Sequence, residues 1–212
     1  MKIKLNLFCC IFFLYTSFFY SQKVGIISEI NSKMGYVVFK GELFTEKAIF
    51  EKDLEYNFID FINQYYKGRN IISKNIDGFP FSMNFITSDE LKYFQSLCKK
   101  NDIDELVIIS KNKYYIQNDP MSIYKNLNHE LGIEAYVKAK TRALLYGNFQ
   151  IYIYNLKDHH VKTVINNIYI VHRFKTPVFN ESYNLINKEV EKLFADDLEK
   201  LITRKMNKYY SK

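Results

Sequence analysis

The chain has 212 residues, of which 48% are hydrophobic and 25% charged, and its formal net charge is +7. That supplies one domain with a core of its own, with no Gly/Ser linker, internal repeat or long charge run to mark a second. Lysines alternate with acidic residues instead of gathering in one stripe, so the electrostatic footprint of a nucleic-acid binder is missing.

The first residues read as an address. Lys2 and Lys4 precede an apolar run, Leu5 to Tyr20, broken only by Asn6, Thr16 and Ser17, and polar sequence begins at Ser21. This is the layout of a secretory signal peptide over residues 1–21. As a helix the run would be roughly 24 Å long, short of the roughly 30 Å hydrocarbon core of a bilayer. Cys9 and Cys10 follow too little apolar sequence for lipid attachment and serve as apolar filler. With cleavage after Ser21 the charge falls to +5, since Lys2 and Lys4 leave, and Cys98 is the one remaining thiol. One thiol permits no internal disulfide, and beside Leu97 on an expected helix it reads as a small buried hydrophobe. Residues 22–212 form the expected domain.

In chain order, Lys23 to Ile30 and Tyr36 to Lys40 are β-branched runs joined by "NSKMG", which predicts a hairpin. From Thr45 the spacing of Phe50, Leu54, Phe58, Phe61, Ile62 and Tyr65 predicts an amphipathic helix ending at Gly68. "NIISKNI", Asn70 to Ile76, predicts a strand broken by "DGFPF". Thr87 and Glu90 form a capping-box pattern for a helix running to about Lys100. "ELVIISK", Glu105 to Lys111, is apolar enough to lie centrally, covered on both faces. Asp119-Pro120 opens a short helix to His129.

From Ile133 to Val171 apolar and polar residues alternate, which predicts an antiparallel meander with turns at Tyr146–Asn148 and Leu156–His160. A helix over residues 138–144 is the alternative there, on its Ala and Lys content. Apolar positions switch from odd to even numbers across Asn166-Asn167, the mark of a bulge. Asn180 or Ser182 would cap a closing helix carrying Ile186, Val190, Leu193, Phe194, Leu198, Leu201 and Ile202, with cations in its last turns. The sum is an α/β fold with α+β character: a mixed sheet of about five to seven strands, an antiparallel C-terminal meander and two to three main helices.

Chemistry-bearing patterns are sparse. Asp158, His159, His160 and His172 would make a metal site only if an irregular turn brought them together, since neighbours on extended chain point to opposite faces. His129-Glu130 lacks the second histidine of H-E-x-x-H, because Ile133 stands there. Gly-rich phosphate loops and a Gly-x-Ser-x-Gly elbow are absent. Three doubled tyrosines stand beside lysine: Tyr65-Tyr66, Tyr114-Tyr115 and Tyr209-Tyr210. Brought together they would form an amphipathic patch for a protein, glycan or polymer; kept apart they are half-buried element ends.

Three stretches, "FEKDLEYNFIDFINQYY" leading into "NIISKNI", "NDIDELVIISKNKYY", and the hairpin "FQIYIYNLKDHHVKTV", together resemble the order of elements in small exported α/β domains of the TolB amino-terminal and CsgG types. The resemblance spans about Lys23 to Lys205, rests on element order without a diagnostic motif, and implies an envelope assembly or accessory role with no functional residue carried over. The expectation is therefore an exported, periplasmic or secreted, non-enzymatic protein without a cofactor, which binds an envelope protein or surface polymer by strand addition or an aromatic surface. A secreted hydrolase or metalloenzyme using Asp158, His159, His160 and His172 is one alternative, and an accessory protein held at the membrane by an uncleaved segment 1–21 is another.

Overall fold

In chain order the elements are β1 (Lys23–Ser28), β2 (Lys33–Lys40), β3 (Lys47–Asn57), α1 (Phe58–Gly68), β4 (Ile72–Asn75), α2 (Ser88–Asn101), β5 (Glu105–Lys111), β6 (Leu131–Tyr136), β7 (Ala139–Asn155), β8 (His160–Arg173) and α3 (Lys188–Tyr210). The computed structural model describes residues 22–41, 47–78, 86–112 and 127–211. The leader, Tyr114, Tyr115 and residues 120–126 of the helix expected from Pro120 to His129 lie outside them, and residues 127–129 are not helical.

The class is mixed α/β. Seven strands follow the order β3-β2-β6-β7-β5-β1-β4, and β8 pairs with β7. The seventeen residues of β7 organise the sheet. On one edge, its first half pairs antiparallel with β6 and its second half with β5. Along the other edge it pairs with β8 over nearly its whole length. β5 and β6 thus lie end to end, and so do β1 and β2, which pair parallel with them.

Where the two halves part, main-chain bonds just beyond the strand ends and side-chain carboxylates take over from the regular ladder. The Asn148 N–H donates to the Glu130 carbonyl (2.7 Å) and the Asn112 N–H to the Asn148 carbonyl (2.9 Å). Glu130 accepts from the Asn31 N–H (3.1 Å) and pairs with Lys111 Nζ (2.5 Å), while Glu29 accepts from the Lys111 N–H (2.9 Å).

One face of the sheet carries the main core. α1 contributes Phe58, Ile59, Ile62 and Tyr66, and α3 contributes Val190, Phe194, Leu198, Ile202 and Met206, a stripe at every fourth residue. α2 covers part of the other face, packing Phe94, Leu97 and Cys98 on Leu106, Ile108, Tyr152 and Tyr154. It begins as the sequence implies: Thr87 Oγ1 accepts from the Glu90 N–H (3.3 Å) and Glu90 Oε2 accepts from the Thr87 N–H (2.5 Å). β5 is also as expected, buried at every residue but Lys111.

Several local expectations give way. β1 and β2 form no hairpin with each other; both run on in one direction, because the two hydrogen-bonding edges of β1 are taken by β4 and β5. The helix expected from Thr45 begins only at Phe58, capped by Asn57 Oδ1, and Lys47–Asn57 is strand β3. Its apolar residues fall four apart, a spacing that suits both a helix and one face of a strand. The expected single run from Ile133 to Thr141 turns back at residues 137–138, and the alternative helix over 138–144 is strand. Tyr146–Asn148 is a register shift inside β7 instead of a turn. The parity switch at Asn166-Asn167 is real, with Asn167 at φ 54°, and a second shift near Val164 separates Val161 from Ile165. The closing helix is capped by Asn187, not by Asn180 or Ser182.

Phe194 is wholly buried and lies against the rings of His172 (5.2 Å) and Phe174 (6.3 Å). Phe194→Ala is expected to cost about 3–5 kcal/mol, read as a lower urea midpoint by circular dichroism.

Candidate functional site

Four of the six candidate tyrosines meet. Tyr65 and Tyr66, at the C-terminal end of α1, pack edge to face with one another, and Tyr66 packs in the same way on Tyr210 of α3 (6.2 Å). The Arg69 guanidinium lies over the Tyr210 ring (4.8 Å) and donates to Asn207 Oδ1 (3.0 Å), which also accepts from the Tyr65 hydroxyl (2.9 Å). The cluster is turned inward. Tyr66 is wholly buried, its hydroxyl bonds to that of Tyr210 (2.9 Å), and Tyr210 donates to the buried Glu105 carboxylate (2.8 Å). This is a lock between two helix ends; Tyr65, Tyr209 and Tyr210 keep partial exposure at its rim, while Tyr66 is sealed.

The candidate metal residues stay apart. His160 pairs with Asn155 at one end of β8 and His172 with Ala143 near the other, twelve residues or roughly 40 Å along the strand. His159 Nδ1 lies 3.1 Å from the Tyr154 hydroxyl, and His172 Nε2 lies 2.7 Å from Asp197 Oδ2, tying β8 to α3. Among the described residues no group of three or more His, Cys, Asp or Glu side chains is placed to hold a metal ion. Cys98 is buried, which pushes its thiol up to about 12.

Sequence reasoning passed over the strongest polar clamp. His129 Nδ1 lies 2.7 Å from Glu51 Oε1 and Nε2 lies 2.8 Å from Asp53 Oδ1, while Asn128 donates twice to Glu51. The bond to His129 holds the Asp53 carboxyl below its usual range. Gly35 makes room for the ring: a Cβ there would stand 2.5 Å from a ring carbon of His129. The clamp ties the segment before β6 to β3 and leaves little of the imidazole for a ligand.

The open feature is the outer edge of β8. Among the described residues β8 pairs with β7 alone. Tyr169 is 66% exposed and Val171 39%, both on the face turned away from the main core. On the other face a groove runs between residues 162–170 of β8 and Leu201, Arg204, Lys205, Lys208 and Tyr209 of α3. Lys162 lies over the Tyr209 ring (5.3 Å), and burial pushes the Tyr209 hydroxyl up to about 12. The parity switch at Asn166-Asn167 was the available signal, since beyond it the odd-numbered Tyr169 and Val171 must point away from the core.

No known protein family matches the chain, and no curated protein matches it. A solved structure of the hypothetical protein CT253 from Chlamydia trachomatis is similar at 7% identity and a TM-score of 0.30, covering 86% of this chain and 98% of that one. Among the described residues no helix is long and apolar enough to cross a membrane.

Burial raises the Glu105 carboxyl above its ordinary value, against the hydrogen bonds from Tyr210 and Asn155. A folded value above the unfolded one means that the ionised group costs stability as pH rises through it. Glu105→Gln removes that cost while keeping an acceptor for Asn155 and turning a donor towards Tyr210. The variant is expected to melt a few degrees higher than the parent at about pH 8, with the gap closing towards about pH 4, in thermal unfolding followed across pH.

Proposed function

We propose that this is an exported, non-enzymatic binding protein of the cell envelope, which takes an extended segment of a partner as an extra strand on β8. The observation that carries the reading is the open edge itself. Ile168–Arg173 pairs regularly with residues 142–147 of β7, and its free side presents backbone donors and acceptors flanked by exposed Tyr169 and Val171. Such an edge is a template for strand addition, with main-chain bonds supplying affinity and alternate side chains supplying selectivity. Export rests on the charged start and apolar run of residues 1–21, and the envelope setting on the resemblance in element order to exported domains of the TolB and CsgG types.

The test places a photo-crosslinking amino acid at position 169 of the full chain, in its own cells, and at positions 49 and 72 as controls. Ile49 on β3 and Ile72 on β4 are exposed at 43% and 58% on the two other outer strands. The expected result is an adduct from position 169 and none from the controls, carried by material whose amino terminus starts near Gln22. Unprocessed chain in the cytosol, or adducts from positions 49 or 72 in place of 169, would overturn the reading.

A further inference from the structure

We infer that the segment taken by β8 alternates acidic with apolar side chains, the acidic ones facing α3. The inference rests on the strand-addition reading and adds the chemistry of the ligand. A strand added to the edge of β8 continues the pleat, so its side chains point by turns to the two faces of the sheet. The faces beside that edge differ. On one stand the exposed ring of Tyr169 and the exposed Val171. On the other, α3 runs alongside and turns Arg204, Lys205 and Lys208 to the rim of the groove, with Lys162 at its end.

Arg204, Lys205 and Lys208 are exposed, and among the described residues no carboxylate is paired with any of these four cations. The carboxylates felt at Tyr209 are Glu105, which is buried and bonded to Tyr210, and Asp158, in the turn between β7 and β8. Lys162, Lys205 and Lys208 therefore face a ligand with little internal compensation, while Arg204 also borders Asp196 and Glu199 on its other side. Held beside a partly desolvated edge, carboxylates at every second position gain charge-assisted bonds there, while apolar residues between them bury against Tyr169 and Val171. A second copy of this chain is the wrong occupant, because pairing β8 with β8 would bring the cations of both copies together. The groove runs beside residues 162–170 and the regularly paired edge is Ile168–Arg173, so a segment of about nine residues, roughly 30 Å long, lying opposite residues 165–173 covers the regular edge and reaches Arg204 and Lys205 past the shift at Asn166-Asn167.

The experiment measures binding of labelled nine-residue peptides to the processed chain by fluorescence anisotropy. The probes are an alternating Glu-Val peptide, a Thr-Val counterpart, a Lys-Val counterpart, a peptide with the Glu and Val residues in two blocks, and a Glu-Val peptide N-methylated at alternate residues. Glu-Val is expected to bind at least about tenfold more tightly than Thr-Val or the block peptide, and less tightly as salt rises. Arg204→Gln, Lys205→Gln and Lys208→Gln combined should erase the preference for Glu-Val over Thr-Val. The corresponding Glu variants should prefer Lys-Val, and unchanged circular dichroism identifies the folded variants on which both comparisons are read. Equal binding of Glu-Val and Thr-Val, with loss on N-methylation, would overturn this inference and leave strand addition standing. Undiminished binding of the N-methylated peptide would instead overturn strand addition and make the groove a general polyanion site. Binding of none of the peptides would overturn both.

Discussion

The structure depends on one strand serving two half-sheets. β7 offers a single edge to β6 and then to β5, so the ladder must break where one partner ends and the next begins. At that break the register shifts between Gly147 and Gln150, and hydrogen bonds through Asn148, Asn112 and Glu130 replace the missing rungs. An unpaired buried amide costs about 1–3 kcal/mol, so this polar seam is a condition of the curled sheet. Everything attached to the sheet follows from it. α3 can lie along β8, with His172 bonded to Asp197 towards one end and Lys162 stacked on Tyr209 at the other, because β8 stays paired with the undivided edge of β7 through two register shifts.

The core explains why the aromatic residues serve stability more than recognition. Tyr36, Tyr66, Tyr146 and Tyr154 are among the largest fully buried side chains, and burial raises the hydroxyls of all four. Tyr66 and Tyr210 find partners in each other and in Glu105, which fixes the C-terminal end of α3 against α1 and β5. That fixation gives the groove beside β8 a rigid wall. Lys205 and Lys208 stand on a helix whose last turns are pinned by Met206 in the core and by Arg69 on Asn207. Pinned cations lose less freedom on meeting a ligand than cations on a loose terminus.

Sequence made the local and strongly patterned elements legible. The capping box at Thr87, the doubly covered strand Glu105–Lys111 and the closing helix with its stripe of apolar residues were all readable, because each is set within a few residues. What failed was pairing. Whether Lys23–Ser28 folds back on Lys33–Lys40 or runs on beside Glu105–Lys111 is decided by contacts about eighty residues away, and no turn residue encodes it. β3 misled for a different reason: a four-residue spacing satisfies two periods, and only burial of Phe50, Leu54 and Tyr56 against the core breaks the tie. The candidate site divides in the same way. The doubled tyrosines were visible, but their inward orientation required Glu105, and the clamp of His129 by Glu51 and Asp53 joins residues that no motif connects.

The three outer strands are not alike, and the differences argue for β8 as the working edge. β4 has four residues, too short to template much pairing. β3 is long, but it carries charges at Lys47, Glu51, Lys52, Asp53 and Glu55, and its register with β2 shifts twice, devices that blunt an edge against strangers. Among the described residues Ile168–Val171 of β8 has neither protection, for its pairing with β7 is regular and an exposed tyrosine and valine alternate with residues facing the core. An edge left bare in this way would invite the chain to stack on itself. The cations of α3 stand beside that edge, so they repel another copy while leaving an oppositely charged strand free to dock.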